Sequence, residues 1–69
     1  MVILYTTGCP KCKVLEKKLD NAKVSYTKID DIDEILKVAN ESGFDTAPML
    51  DINGTVVNFE KAVEWVNSL

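Results

Sequence analysis

Two periods of apolar spacing run through this chain, and each change of period marks an element. Val2-Ile3-Leu4-Tyr5 is an unbroken apolar run, short enough for a strand and suited to one covered on both faces. Thr6-Thr7-Gly8 reads as a turn. Beyond it Leu15, Leu19 and Ala22 recur at helical spacing, and Pro10 fits a first helical position, where its missing N–H costs nothing; a helix is predicted from about Pro10 to Asn21. Val24-Ser25-Tyr26-Thr27-Lys28-Ile29 alternates and is rich in β-branched and aromatic residues, which predicts a second strand. With a helix between them, the first two strands are expected to be parallel.

The second half reads in the same way. Asp31 followed by Glu34 is a variant of the capping box, and Ile32, Ile35, Leu36 and Ala39 form the expected buried stripe of a second helix that Gly43 can close. A third strand starts at about Pro48. Met49-Leu50-Asp51-Ile52 and Thr55-Val56-Val57 flank Asn53-Gly54, the dipeptide that best tolerates the two positive φ angles of a type I′ hairpin turn. Asn58 can cap a last helix with Phe59, Ala62, Val63 and Val66 on one face and Trp65 and Leu69 near its edge. The predicted order is βαβαββα.

With 69 residues the chain has room for one small domain, taken as 1–69, and a thin core. Its formal charge of −3 comes from eight lysines against eleven acids, with no arginine or histidine, so phosphate neutralisation and bidentate base reading are both poorly served and no nucleic-acid partner is expected. Lys11, Lys13, Lys17 and Lys18 gather near the start, and Asp30, Asp31, Asp33 and Glu34 later; both runs read first as solvated faces, the acidic one as a helix start rather than a metal site. Neither a signal peptide nor a membrane span is visible, so a cytoplasmic protein without a membrane partner is expected; it is taken as a monomer.

The chemistry lies in Cys9-Pro10-Lys11-Cys12, which holds the only two cysteines at the predicted strand-to-helix turn. So short a loop does little to restrict an unfolded chain, so the pair is of chemical rather than structural use. Cys9 precedes the helix, where unpaired N–H groups and the dipole favour a thiolate and Lys11 adds a cation; it is the expected nucleophile. Cys12, in the first turn behind it, is the expected resolving thiol. Lys11 is read as a tuning residue or substrate contact. Tyr5 and Phe59 are assigned to packing, and Phe44 and Trp65 are left open between packing and substrate contact.

The first strand ending Tyr5-Thr6, the C-x-x-C motif, Gly43-Phe44-Asp45-Thr46-Ala47-Pro48 and the hairpin feeding a terminal helix together resemble the glutaredoxin branch of the thioredoxin fold over nearly the whole chain. The resemblance implies an α/β fold whose four-stranded mixed sheet has the order 2-1-3-4, with helices on both faces. It also implies a cis bond at Pro48 beside the cysteines, with Thr46, Ala47 and Pro48, together with Pro10 and Lys11, in contact with substrate. The implied activity is thiol-disulfide exchange on protein or mixed disulfides, with no bound cofactor and with glutathione as co-substrate. Glutathione-dependent relatives carry a lysine before the motif, an aromatic residue ahead of the second cysteine and Gly-Gly with a nearby Asp opening the last helix. Here Thr6-Thr7, Lys11 and Asn58-Phe59-Glu60-Lys61 stand there, and the loop from Tyr5 to Cys9 is one residue short. Similar redoxins instead draw electrons from thioredoxin reductase and serve ribonucleotide reductase, which makes that enzyme and that client the alternative pair.

A metal carrier is the competing class. Copper metallochaperones place C-x-x-C after a first strand, where two soft thiolates hold Cu(I), but their order is βαββαβ and a methionine stands where this chain has Thr7. Structural zinc usually takes four ligands. A bridged iron-sulfur cluster needs thiols from outside this chain.

Overall fold

The computed structural model describes residues 1–44 and 47–69. Its elements follow in the order β1 (Val2–Tyr5), α1 (Pro10–Asn21), β2 (Thr27–Ile29), α2 (Ile32–Ser42), β3 (Met49–Ile52), β4 (Thr55–Val57) and α3 (Phe59–Asn67). The strands form one mixed sheet in the order β2-β1-β3-β4, with β1 parallel to β2 and antiparallel to β3. This is the expected βαβαββα architecture with its 2-1-3-4 sheet.

Side-chain alternation along the two central strands explains why both faces must be covered. Leu4 pairs with Leu50 and Tyr5 with Met49 across the β1–β3 ladder. Leu4 and Leu50 join Leu15, Leu19, Ala62 and Val66 in a cluster under α1 and α3. Tyr5 and Met49 point the other way, into a smaller cluster with Ile35 and Ala39 of α2. Two helices therefore cover one face and one helix the other.

Each helix starts as its sequence requires. Cys9 caps α1 with Pro10 in the first turn, the Asp31 carboxylate accepts the Asp33 N–H at 3.0 Å, and Asn58 accepts the Lys61 N–H at 2.9 Å. Asp31 thus caps through Asp33 rather than through Glu34. Gly43 ends α2 at φ 76°, and Asn53 and Gly54, at φ 53° and 98°, make the hairpin turn that the dipeptide signals.

Two expectations are corrected. The second strand begins at Thr27 rather than Val24, because the Val24 N–H is spent on the Leu19 carbonyl at 3.0 Å, closing the end of α1 over Lys23 at φ 58°. Val24 and Tyr26 still pack, half-buried, against the larger cluster. The stripe of α2 is also narrower than predicted: Ile35 and Ala39 are buried, whereas Ile32 and Leu36 are each 55% exposed. Among the described residues α2 is the only helix on that face, and its flanks are left uncovered.

Candidate active site

The end of β1 leads straight into the site. Thr6 hydrogen-bonds through its backbone N–H to Ile29, which holds the chain against β2 before Gly8, at φ 80°, turns it into α1. Positive φ at this turn is a conformation that glycine adopts without steric cost. The turn puts Cys9 at the N-cap, half-buried, with its sulfur accepting the Cys12 N–H at 3.2 Å. Cys12 lies fully buried behind it. The two free thiols are 2.6 Å apart, Sγ to Sγ.

The segment leading into β3, the strand beside β1, completes the site. The Ala47–Pro48 bond is cis, Pro48 is fully buried, and the Ala47 carbonyl oxygen lies 4.0 Å from Cys9 Sγ. Thr46, implied by the family resemblance as a substrate contact, lies outside the described residues. Pro10 sits in the first turn of α1, where the sequence placed it.

Burial pushes the Cys12 thiol up, but hydrogen bonding with Cys9, with the Thr6 side chain and with the backbone of Thr7 and Cys9 outweighs it, bringing the thiol from an ordinary 9.0 to about 7. The sequence placed the easily lost proton on Cys9. With the sulfurs in contact, access decides which of them reacts. Cys9 is the sulfur that a bulky partner can reach.

Lys11 engages a ring of the last helix. Its ammonium lies over the Phe59 ring, 5.7 Å from the centroid, tying the first turn of α1 to the first residue of α3. Phe59, Trp65 and Phe44 all pack, half-buried, against the core clusters, and Tyr5 is buried. Sequence reading passed over the threonines. The Thr7 hydroxyl is 3.8 Å from Cys12 Sγ, and the Thr6 hydroxyl, itself buried, accepts the Gly8 N–H at 3.1 Å. Two adjacent threonines before a cysteine motif were the available signal, and turn propensity alone hid it.

A β2-β1-β3-β4 sheet with two helices on one face and one on the other defines a thioredoxin-like fold class. The sequence matches the glutaredoxin family model over residues 2–57, and the chain belongs to the glutaredoxin family. Among solved structures it is similar to the thioredoxin-like protein BC3987, at 21% identity and TM-score 0.76, with 96% of this chain and 99% of that one covered. A threonine-to-alanine point mutant of the same protein gives 23% identity and TM-score 0.77, with 96% and 94% covered. No curated protein sequence matches it. A glutaredoxin-like fold with a nearby cysteine pair suggests a redox function. Among the described residues, no helix is long and apolar enough to cross a membrane.

Proposed function

We propose that this protein is a dithiol disulfide reductase in which Cys9 attacks and Cys12 resolves. The observation that carries the reading is the asymmetry of the pair: a half-exposed sulfur at a helix start in contact with a fully buried one. The Cys9 thiolate attacks one sulfur of a substrate disulfide, forming a mixed disulfide and expelling one thiolate. Cys12 then attacks Cys9 Sγ, releases the second thiolate and leaves a Cys9–Cys12 disulfide. Two electrons have passed to the substrate, whose two thiolates take up protons from solvent and from the protein thiols. The Cys12 N–H aimed at Cys9 Sγ suits a sulfur that is first nucleophile and later leaving group. The Ala47 backbone and buried Pro48 form the ledge along which an extended substrate would lie, with Thr46 carried by family resemblance.

The oxidised protein is returned to the dithiol by glutathione or by thioredoxin reductase, and its substrates are protein or mixed disulfides, ribonucleotide reductase among them. We place the reaction in the cytoplasm and the protein as a monomer without a bound cofactor. Lys11 and Phe59, engaged with each other where glutathione-dependent relatives carry an aromatic residue and a glycine, support modest glutathione affinity. Turnover of a model disulfide with glutathione and its reductase, set against NADPH with thioredoxin reductase, separates the donors.

The roles of the two sulfurs are tested by substitution. Cys9→Ser is expected to abolish exchange, and Cys12→Ser to accumulate a mixed disulfide on Cys9, read by intact mass. Faster alkylation of Cys12 than of Cys9 at neutral pH would reverse the assignment.

A further inference from the structure

The outer face of α1 is basic, and it begins at the reactive pair. Burial of Cys12, Leu15 and Leu19 fixes the rotation of the helix, so the opposite side looks into solvent. There Val14 is 47% exposed and belongs to neither core cluster. Lys11 stands three residues before it, and Lys17 and Lys18 three and four after it, the spacings that make neighbours on a helix, with Cβ atoms about 5–6 Å apart. An exposed apolar side chain is thus ringed by three ammonium stems. Lys13, also exposed, adds a fourth cation to the same helix.

The acids of α1 are drawn away from this face, toward β2. Glu16 pairs with Lys28 at 3.4 Å, and the Asp20 carboxylate accepts the Tyr26 hydroxyl at 2.9 Å. Among the described residues, none of the four lysines has an ion-pair partner. The Lys11 ammonium is instead held over the Phe59 ring at the head of the face. A chain with a formal charge of −3 therefore carries a positive face that starts beside its nucleophile. From Cys9 to Lys18 the helix rises about 14 Å, a length that about four extended residues of a partner would cover.

We propose that this face docks the acidic flank of a protein disulfide substrate: a segment with carboxylates and an apolar side chain within about four residues of the attacked cysteine, its acids on Lys11, Lys17 and Lys18 and its apolar residue on Val14. Charge complementarity selects the occupant, because a cationic segment would be repelled by every lysine of the face. The inference rests on the dithiol reductase reading and adds the partner's chemistry to it. Bonds and electrons follow the exchange already described: the reduced protein gives two electrons, becomes the Cys9–Cys12 disulfide and releases the substrate thiols.

The test is single-turnover reaction of pre-reduced protein with synthetic peptides, each carrying one cysteine as its mixed disulfide with mercaptoethanol and differing only in the stretch beside it: Glu-Glu-Leu-Glu, Gln-Gln-Leu-Gln or Lys-Lys-Leu-Lys. At low ionic strength the acidic peptide is expected to react about fivefold faster than the glutamine peptide and the lysine peptide more slowly, the differences shrinking at high salt. Lys17→Gln combined with Lys18→Gln is expected to lower the rate constant of the acidic peptide about threefold and to leave the glutamine peptide unchanged. Val14→Ser, which alters no charge, is expected to slow the acidic peptide about twofold, but not a version with serine in place of its leucine. Lys23→Gln combined with Lys37→Gln, the same loss of charge beyond the end of α1 and on α2, is the control. An equal fall in that control, or equal rates for the three peptides in the parent protein, would overturn the docking face while leaving the reductase reading intact. A loss in the Lys17 and Lys18 variant confined to turnover by thioredoxin reductase would overturn it too, by giving the face to the electron donor. Failure of the parent protein to reduce any of the peptides would remove both readings.

Discussion

The thiol of Cys12 gives the site a pH dependence with a definite sign. Its folded value, about 7, lies below the ordinary 9.0, so the unfolded chain holds the proton more tightly than the native one. The stability contributed by this group is complete above pH 9 and is lost as the pH falls through 7. Reduced protein is therefore expected to become harder to unfold as the pH rises from about 7 to 9, and Cys12→Ser to lack the increment, as measured by urea titration under reducing conditions. Parallel pH profiles for the two proteins would show that the hydrogen bonds around Cys12 do not favour its anion. Legibility in the sequence also divides at this scale. Cys9, Pro10 and Cys12 could be placed because four consecutive residues and a helix start fix them. The contact between Lys11 and Phe59 could not, because nothing local records which distant ring an exposed ammonium will find.

Among the elements, β1, α1 and the Asn53-Gly54 hairpin were legible because each carries a local reason: an unbroken apolar run, a proline in the first turn, a dipeptide suited to positive φ. The start of β2 and the exposed flanks of α2 were not, since both depend on neighbours. Propensity favours a strand from Val24, but the Val24 N–H closes α1 instead, and Ile32 and Leu36 fit a helical stripe that the sheet is too small to cover. The closure of α1 also contains a correctable cost. Lys23 stands at φ 58°, where a side chain bears a steric penalty that glycine avoids. Lys23→Gly is expected to stabilise the protein by about 0.5 kcal/mol, the relief of strain exceeding the added freedom of the unfolded chain. A lower urea midpoint at unchanged m-value would mean that the lysine stem contributes more packing than the left-handed backbone costs.

For the molecule as a whole, the decisive feature is that Cys9 Sγ is also the N-cap of α1. The atom that would exchange electrons is the atom that accepts the Cys12 N–H in the first turn of a helix packed on the larger core, so oxidation and unfolding share a closed thermodynamic cycle. The difference in unfolding free energy between the dithiol and disulfide forms equals the displacement of the redox potential from that of the same four residues in an unstructured chain, with about 30 mV for each 1.4 kcal/mol. A substitution remote from the sulfurs, such as Lys23→Gly, is expected to raise both melting temperatures together and leave the potential where it was. Thr7→Val, which removes the hydroxyl beside Cys12 Sγ, is expected to weaken only the reduced form and to make the potential roughly 10–20 mV more negative, the equivalent of one modest hydrogen bond. An unchanged potential in Thr7→Val would disconnect that hydroxyl from the dithiol. The helix start is in this sense a transducer, and a calorimeter comparing the two forms reads the same quantity as an electrode.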